Sequence, residues 1–169
     1  MAMTANGNRL FISRFISAEN EGHIWEVNPH TMALTRTFNL IRDRGARGFD
    51  SGSSGKGVPN YVAGLAISPD DQWLWYAATK PNTQRGAFFR QGTDFNLDLT
   101  HDSTVRAMAG RINLTTNNEP NVNAWSDAND PNIRIDIDNS DSPTGITFSD
   151  RGDYVFIALQ GNNSVAVFD

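Results

Sequence analysis

The sequence predicts an all-β protein made of about three repeated antiparallel sheets, and two observations support this prediction. Residues 64–78 and 145–159 align without gaps. Each segment contains an apolar stretch, a turn rich in Ser, Pro, Asp and Gly, and a stretch dense in aromatic and β-branched residues, an order typical of antiparallel hairpins. The second observation is that no long stretch keeps the 3.6-residue period of an amphipathic helix.

A third copy of the repeat lies near the beginning of the chain. Residues 7–13 align with residues 152–158, and residues 24–28 align with residues 165–169. Self-similarity at regular intervals indicates a repeat architecture. Repeated four-stranded antiparallel units are typical of the blades of a β-propeller. We therefore predict a single partial propeller over residues 1–169, with too few blades to close a ring alone.

The first predicted unit, blade one, covers residues 8–41. Naming the strands a to d from the inside outward, the apolar stretches predict strands b, c and d at residues 9–14, 23–27 and 34–40. No stretch that matches the innermost strand precedes them. Blade one is therefore predicted to be incomplete.

Blade two covers residues 58–138 and blade three covers residues 142–169. In blade two, strands a to d are predicted at residues 61–67, 73–78, 104–114 and 133–137. In blade three, strands a to c are predicted at residues 144–148, 154–159 and 164–168. Blade three is predicted to lack its outer strand.

These repeats resemble the YVTN family of seven-bladed propellers. The agreement is best in residues 142–169, where the motif positions are occupied by Pro143, Gly145, Ser149, Gly152, Asp153, Ala158, Asn162, Val165 and Asp169. Blade two departs from the motif, because Asp71 replaces the turn glycine and a long insertion separates strand b from strand c. The resemblance implies a propeller fold and leaves activity open, since one fold supports many functions.

Residues 58–169 also resemble the propeller portion of exported bacterial proteins in which a propeller is joined to a di-haem cytochrome c peroxidase-like module. This resemblance implies a periplasmic or extracellular location. The chain has no cysteine, so a haem attached through C-x-x-C-H is excluded within it. Any haem module would lie outside these residues.

Composition restricts the classes of partner. The formal charge is 14 − 19 = −5, and the basic residues are scattered rather than grouped, which argues against a nucleic-acid partner. No apolar run approaches the roughly 20 residues needed to span a bilayer. We expect a soluble protein without membrane insertion.

Two long loops form the candidate binding surface. Alternate strands run in opposite directions, so the connections after strands b and d leave the blades at the same end. Loops 42–56 and 80–103 therefore share one rim, and their candidate binding residues are Arg44, Arg47, Arg85, Phe88, Phe89, Arg90, Asp94 and His101. The alternative is that both loops are solvated excursions, with the phenylalanines covering a blade edge and the arginines paired to nearby aspartates.

A carboxylate cluster gives a candidate metal site. Asp136, Asp138 and Asp141 are close in sequence, and oxygen ligands of this type could hold Ca²⁺. The spacing does not match a calcium-binding loop. The alternative is that Asp136 and Asp138 lie on one side of an exposed outer strand. No other cofactor is expected in this chain.

Two functional classes remain open. The first is a non-catalytic scaffold or binding module that presents the loop rim to a protein or small-molecule partner. The second is part of an exported redox or hydrolytic propeller enzyme with a site on the propeller axis. An axial site needs acids or histidines where strands a begin, and these positions hold Asn60, Tyr61, Ser142 and Pro143. No nucleophile or phosphate-loop motif is present, so no catalytic residue is assigned.

The predicted missing strands bear on assembly. Blade one would expose an unpaired strand b, and blade three would expose an unpaired strand c. Unpaired strand edges favour pairing between chains. We therefore expect a homo-oligomer, with two or three copies closing a ring through these edges. The alternative is that the isolated chain is marginally stable and associates non-specifically.

Overall fold

The computed structural model describes residues 1–44, 56–81, 105–119, 134–137 and 140–169, and this part of the chain is all-β. It contains three antiparallel sheets of three or four strands and one short two-stranded sheet. Within these ranges the helical content is a single 3₁₀ turn, Gln160–Asn162, and no helix in them could cross a membrane. The predicted fold class is confirmed.

Blade one contains four strands. Strands β1 (Ala2–Met3), β2 (Leu10–Ser13), β3 (Glu21–Val27) and β4 (Leu34–Ile41) follow each other in this order across the sheet. The prediction that the innermost strand is missing is wrong, because Ala2 pairs with Phe11 and Met3 pairs with Leu10. That strand has only two residues, too few for an alternating apolar pattern to reveal it.

Blade two has the four strands that were predicted. After the small sheet of β5 (Asp43–Arg44) and β6 (Lys56–Gly57), the chain forms β7 (Asn60–Ile67), β8 (Trp73–Pro81), β9 (Val105–Asn113) and β10 (Arg134–Ile137). The order across the sheet is β10-β9-β8-β7. Strand β8 extends to Pro81, three residues beyond the predicted end.

Blade three has three strands, as predicted. They are β11 (Pro143–Phe148), β12 (Val155–Leu159) and β13 (Ser164–Phe168), in this order across the sheet. Every pairing is antiparallel, and β13 forms the outer edge among the described residues.

One turn links strands a and b in all three blades. It begins at Thr4, Ser68 or Ser149, whose hydroxyl accepts a hydrogen bond from the backbone N–H five residues later, at 2.9–3.1 Å. The carbonyl of the same residue accepts the N–H three residues later at 2.9 Å. That later residue has a left-handed backbone, with φ of 71° at Gly7, 56° at Asp71 and 80° at Gly152. Blade one therefore begins before Thr4 and follows the same repeat.

In the blade-two turn, Asp70 has a structural role. Its Oδ1 accepts hydrogen bonds from the Ser68 hydroxyl at 2.5 Å and from the Gln72 N–H at 3.0 Å. The bond from Ser68 is the main reason that the pKa of Asp70 is lowered.

Blades one and two pack through large apolar side chains. Phe11 and Ile24 of blade one share a buried cluster with Leu74, Tyr76 and Ile112 of blade two. Because side chains alternate along a strand, Leu10 and Ile12 lie on the opposite face of blade one from Phe11.

Blades two and three pack through smaller side chains. Ala77, Ala107 and Ala109 of blade two share a second cluster with Ile157 and Leu159 of blade three. The cluster is extended at one edge by an edge-to-face contact between Trp75 and Phe148, whose ring centroids are 6.2 Å apart. Blade two is thus covered on both faces.

Arg9 ties blade one to blade two. Its guanidinium donates to Glu26 of its own blade at 2.7 and 3.0 Å. It also donates to the carbonyl of Leu114 at 3.0 Å and to the side chain of Asn117 at 2.7 Å. Both of these acceptors follow strand β9 in blade two.

A buried network around Arg134 forms a second tie. The guanidinium donates to both Glu119 oxygens at 2.9 Å, to the Tyr76 hydroxyl at 3.1 Å and to the Ile41 carbonyl of blade one at 2.8 Å. The Tyr76 hydroxyl donates to Glu119 at 2.5 Å. Burial, and secondarily the Glu119 carboxylate, raises the pKa of Tyr76 well above its usual value.

Candidate functional site

The segments that flank the two long loops meet at one end of the blades, which we call the rim. Strand β6 leads out of residues 45–55, and β8 leads into residues 82–104. Gly57 lies directly against the carbonyl group of Pro81, with no room for a Cβ atom on Gly57. The end of the first loop is therefore adjacent to the start of the second.

The predicted binding residues fall almost entirely outside the described structure. Arg44 lies in β5, where only its backbone is described. Seven others lie outside the described residues: Arg47, Arg85, Phe88, Phe89, Arg90, Asp94 and His101. Their role at the rim stays a prediction.

An ion-pair cluster lies beneath the rim in blade two. Lys80 Nζ donates to the two Asp136 oxygens at 2.7 and 3.0 Å, and Arg106 Nη1 lies 3.6 Å from the same carboxylate. The Lys80 side chain is 0% exposed, Arg106 3% and Asp136 9%. Buried charges of this kind are tolerated when they are paired, so the cluster fixes the ends of β8, β9 and β10 relative to one another.

The position of Asp136 corrects one interpretation from the sequence. The strand that carries it was expected to be exposed, and the Asp136 side chain is instead 9% exposed and paired with two cations. Its carboxylate pairs with both Lys80 and Arg106, which is a structural role. Asp138 lies outside the described residues.

Asp141 is engaged in a local turn. Its Oδ1 accepts the N–H of Ser142 at 2.6 Å, and its own N–H donates to the side chain of Asn162 at 2.5 Å. Asn60 holds the matching position in blade two and accepts the N–H of Tyr61 at 2.9 Å. An uncharged amide therefore accepts the same backbone hydrogen bond in blade two, so the turn does not require a carboxylate.

The described residues do not assemble a metal site. No group of three or more His, Cys, Asp or Glu side chains with the spacing of a metal centre occurs in residues 1–44, 56–81, 105–119, 134–137 and 140–169. Asp136 and Asp141 instead serve the two separate structural roles described above.

An exposed aromatic pair lies on the rim, and the sequence reasoning missed it. Phe15, in the loop between β2 and β3, lies beside Tyr61 near the start of β7, with ring centroids 5.1 Å apart. Phe15 is 55% exposed, Tyr61 47% and the neighbouring Ile16 62%. We call these three side chains the rim patch.

Hydrogen bonds hold the rim patch in place. The Ser17 N–H donates to Asn60 Oδ1 at 2.8 Å, and the Ser17 hydroxyl donates to the carbonyl of Pro59. The same Asn60 oxygen accepts the N–H of Tyr61. One amide therefore connects the loop that carries Phe15 to the strand that carries Tyr61.

Tyr61 has a left-handed backbone with φ of 47°, and Ser142 at the matching position of blade three has φ of 51°. The conformation is thus a repeated feature of how strand a begins. What distinguishes blade two is the aromatic side chain placed there. A sequence signal was present, because Phe15 and Ile16 are large apolar residues in a predicted loop.

Comparisons with known proteins bear on the fold. No protein-family model matches the chain, and no curated protein matches it by sequence. A solved structure of hydrazine synthase from Kuenenia stuttgartiensis is similar over 99% of this chain, with a TM-score of 0.66 and 9% identity. The fold is β-propeller-like. The chain spans 38% of the length of that neighbour, and at this identity the likeness concerns the fold alone.

Proposed function

We propose that this chain is a non-catalytic β-propeller scaffold of YVTN-type repeats that binds a protein partner at its rim and self-associates through its exposed blades. The observation that supports rim binding is the exposed, hydrogen-bonded pair of Phe15 and Tyr61. The partner that suits the rim patch is an extended segment with apolar or aromatic side chains.

The physical case rests on exposure combined with order. Large aromatic side chains at interfaces contribute much of the binding free energy when they are buried by a partner. The two rings lie on two segments that Asn60 joins by hydrogen bonds, so little conformational entropy is lost on binding. Phe15, Ile16 and Tyr61 also lie together, which distinguishes them from singly exposed apolar residues.

The alternative of an enzyme with an axial site receives less support. It needs free polar groups where strands a begin. In the described blades these groups are the side chains of Asn60 and Asp141, and both accept backbone N–H groups at their own turns. Their positions suit turn formation, which favours the binding module.

The test uses peptides selected from a displayed random library against the whole chain, with affinities then measured by titration calorimetry. Tyr61→Asn removes the ring and keeps a residue type that tolerates a left-handed backbone, and Phe15→Ala removes the second ring. Each variant is expected to raise the dissociation constant of selected peptides roughly tenfold or more, since interface aromatics commonly contribute over 1 kcal/mol.

Tyr154→Ala is the matched control. Tyr154 is 49% exposed, close to the 47% of Tyr61, and it follows the turn at the opposite end of blade three. Its replacement should leave peptide affinity unchanged. If every selected peptide binds Tyr61→Asn as tightly as the unaltered chain, the proposed rim function is wrong.

A further inference from the structure

Blade two presents one face to blade one and the other face to blade three. In β8, Tyr76 is in the cluster with blade one, whereas Ala77 is in the cluster with blade three. Trp75, on the same face as Ala77, contacts Phe148 of blade three. A residue's place in the repeat therefore determines which neighbouring blade it meets.

Blade three also has two different faces: one packs against blade two, and the other is exposed. Phe156 holds the position of Trp75 in the repeat. It forms a row across the sheet with Thr147 and Val167, and Ala158 forms the next row with Val165. Val165 is 58% exposed and Val167 54%. This following face is apolar and lies open to solvent.

Two glycines at matching positions of blades two and three differ in how closely they are packed. A Cβ atom on Gly64 would lie 2.9 Å from Ile146 Cγ2 and 3.1 Å from the Ile146 nitrogen, because blade three packs tightly there. Gly145 holds the matching position in blade three, where a Cβ atom would meet only Ala158 Cβ at 3.8 Å. Both blades thus have glycine at this position. Only the glycine of blade two, Gly64, is closely packed against a neighbouring blade.

Blade one exposes its preceding face, which corresponds to the face by which blade two contacts blade one. Leu10 and Ile12 hold the positions of Leu74 and Tyr76, which in blade two face the preceding blade. Leu10 pairs with Met3 in β1, so both side chains lie on this preceding face, and Met3 is 55% exposed. Ile12 pairs with Trp25, which adds a large ring to the same face.

We propose that the following face of blade three packs on the preceding face of blade one in a second copy of this chain, head to tail. This deepens the self-association in the proposed function and replaces pairing of strand edges by packing of blade faces. The contact would continue the interface that already joins blade two to blade three. The central rows of both faces carry no charged side chain, as expected at the core of an interface.

The two faces differ, so the contact is heterologous. A heterologous contact closes a ring when the rotation allows it. The pairing of unlike faces also leads to a specific test, because each copy uses one face as donor and the other as acceptor.

The experiment measures assembly of the whole chain by native mass spectrometry and sedimentation over a concentration series. The unaltered chain should form a discrete dimer or trimer. Val167→Lys and Met3→Lys should each weaken association roughly tenfold or more, because each buries a charge at the contact. Gly145→Ala should weaken it by inserting a methyl group into a close contact.

Mixing the two lysine variants distinguishes head-to-tail packing from a symmetric contact. In an equimolar mixture, the intact blade-three face of Met3→Lys can meet the intact blade-one face of Val167→Lys. A mixed dimer should therefore form at concentrations where each variant alone stays largely monomeric. If only Val167→Lys weakens association, or if mixing restores nothing, the head-to-tail proposal is wrong.

Met32→Lys is the control, since Met32 is 67% exposed and lies in the turn before β4, outside the strands that form the two faces. It should associate like the unaltered chain. A monomer at every concentration of the unaltered chain would overturn the proposal. That result would not affect the binding of selected peptides at Tyr61, so the rim-binding proposal and the assembly proposal are tested independently.

Discussion

The two interfaces inside this molecule are built differently. Blade one meets blade two through large side chains such as Phe11 and Tyr76, with buried polar ties through Arg9 and Arg134. Blade two meets blade three through alanines and Gly64, which bring the sheets close together. The first interface is crossed by hydrogen bonds from two arginines to neutral acceptors, and the second depends on the small volume of its side chains.

This difference implies different weaknesses. Removing one member of a buried polar network leaves its partner without compensation, which is costly. Adding a methyl group to a closely packed contact forces side chains or backbone to move. The first interface should therefore be sensitive to loss of charge, and the second to added volume.

The largest effect is expected at Arg134. Arg134→Met removes the guanidinium that neutralises Glu119, whose side chain is 7% exposed. Breaking a buried ion pair in this way typically costs about 3–5 kcal/mol of the free energy of unfolding. Urea unfolding followed by tryptophan fluorescence would measure the loss.

A double variant tests the cause. Glu119→Gln in the Arg134→Met background removes the buried negative charge and keeps an acceptor for the Tyr76 hydroxyl. It should recover part of the lost free energy of unfolding. A loss below about 1 kcal/mol for Arg134→Met alone would show that the tie contributes little.

An intermediate effect is expected at the second interface, where Gly64 and Gly145 form a matched pair. Gly64→Ala should lower the free energy of unfolding by about 1–3 kcal/mol, because its Cβ atom meets the backbone of blade three. Gly145→Ala should change it by less than about 0.5 kcal/mol, since its Cβ atom has ordinary contacts only.

Both alanine variants should be measured by urea unfolding at concentrations where the chain is monomeric. Equal losses would contradict the contrast between a covered and an exposed face. A loss for Gly64→Ala alone would sharpen it, because the two substitutions are chemically identical.

The sequence was sufficient to predict most of the fold. Strands of five or more residues kept a readable apolar pattern, and β9 and β12 were placed within one residue of their observed bounds. Strand β1 has two residues and offers no pattern. The turn that follows it did carry a signal, since Thr4, Gly7 and Arg9 have the same spacing as Ser149, Gly152 and Tyr154.

The candidate site was less predictable. The sequence placed the two long loops at one end, and the contact between Gly57 and Pro81 agrees with this. Nothing in the sequence showed that Asn60 would join Phe15 to Tyr61, because that contact depends on two segments more than forty residues apart. Likewise, no sequence pattern predicted the ion pair between Lys80 and Asp136, because these residues lie more than fifty positions apart in the chain.

The smallest effect is a pH dependence of the first interface through Tyr76. Burial raises the pKa of the folded Tyr76 hydroxyl, whereas an unfolded tyrosine ionises near pH 10. The stabilisation is therefore fully present below about pH 10 and decreases as pH rises, because only the unfolded state releases the proton. The free energy of unfolding should fall by up to about 1.4 kcal/mol per pH unit from this group.

Tyr76→Phe should be less stable than the unaltered chain at neutral pH, and its free energy of unfolding should fall less steeply above pH 10. Urea unfolding at a series of pH values would measure both differences. Parallel pH profiles for the two chains would mean that Tyr76 ionises equally in both states, and that burial at the first interface does not control its proton.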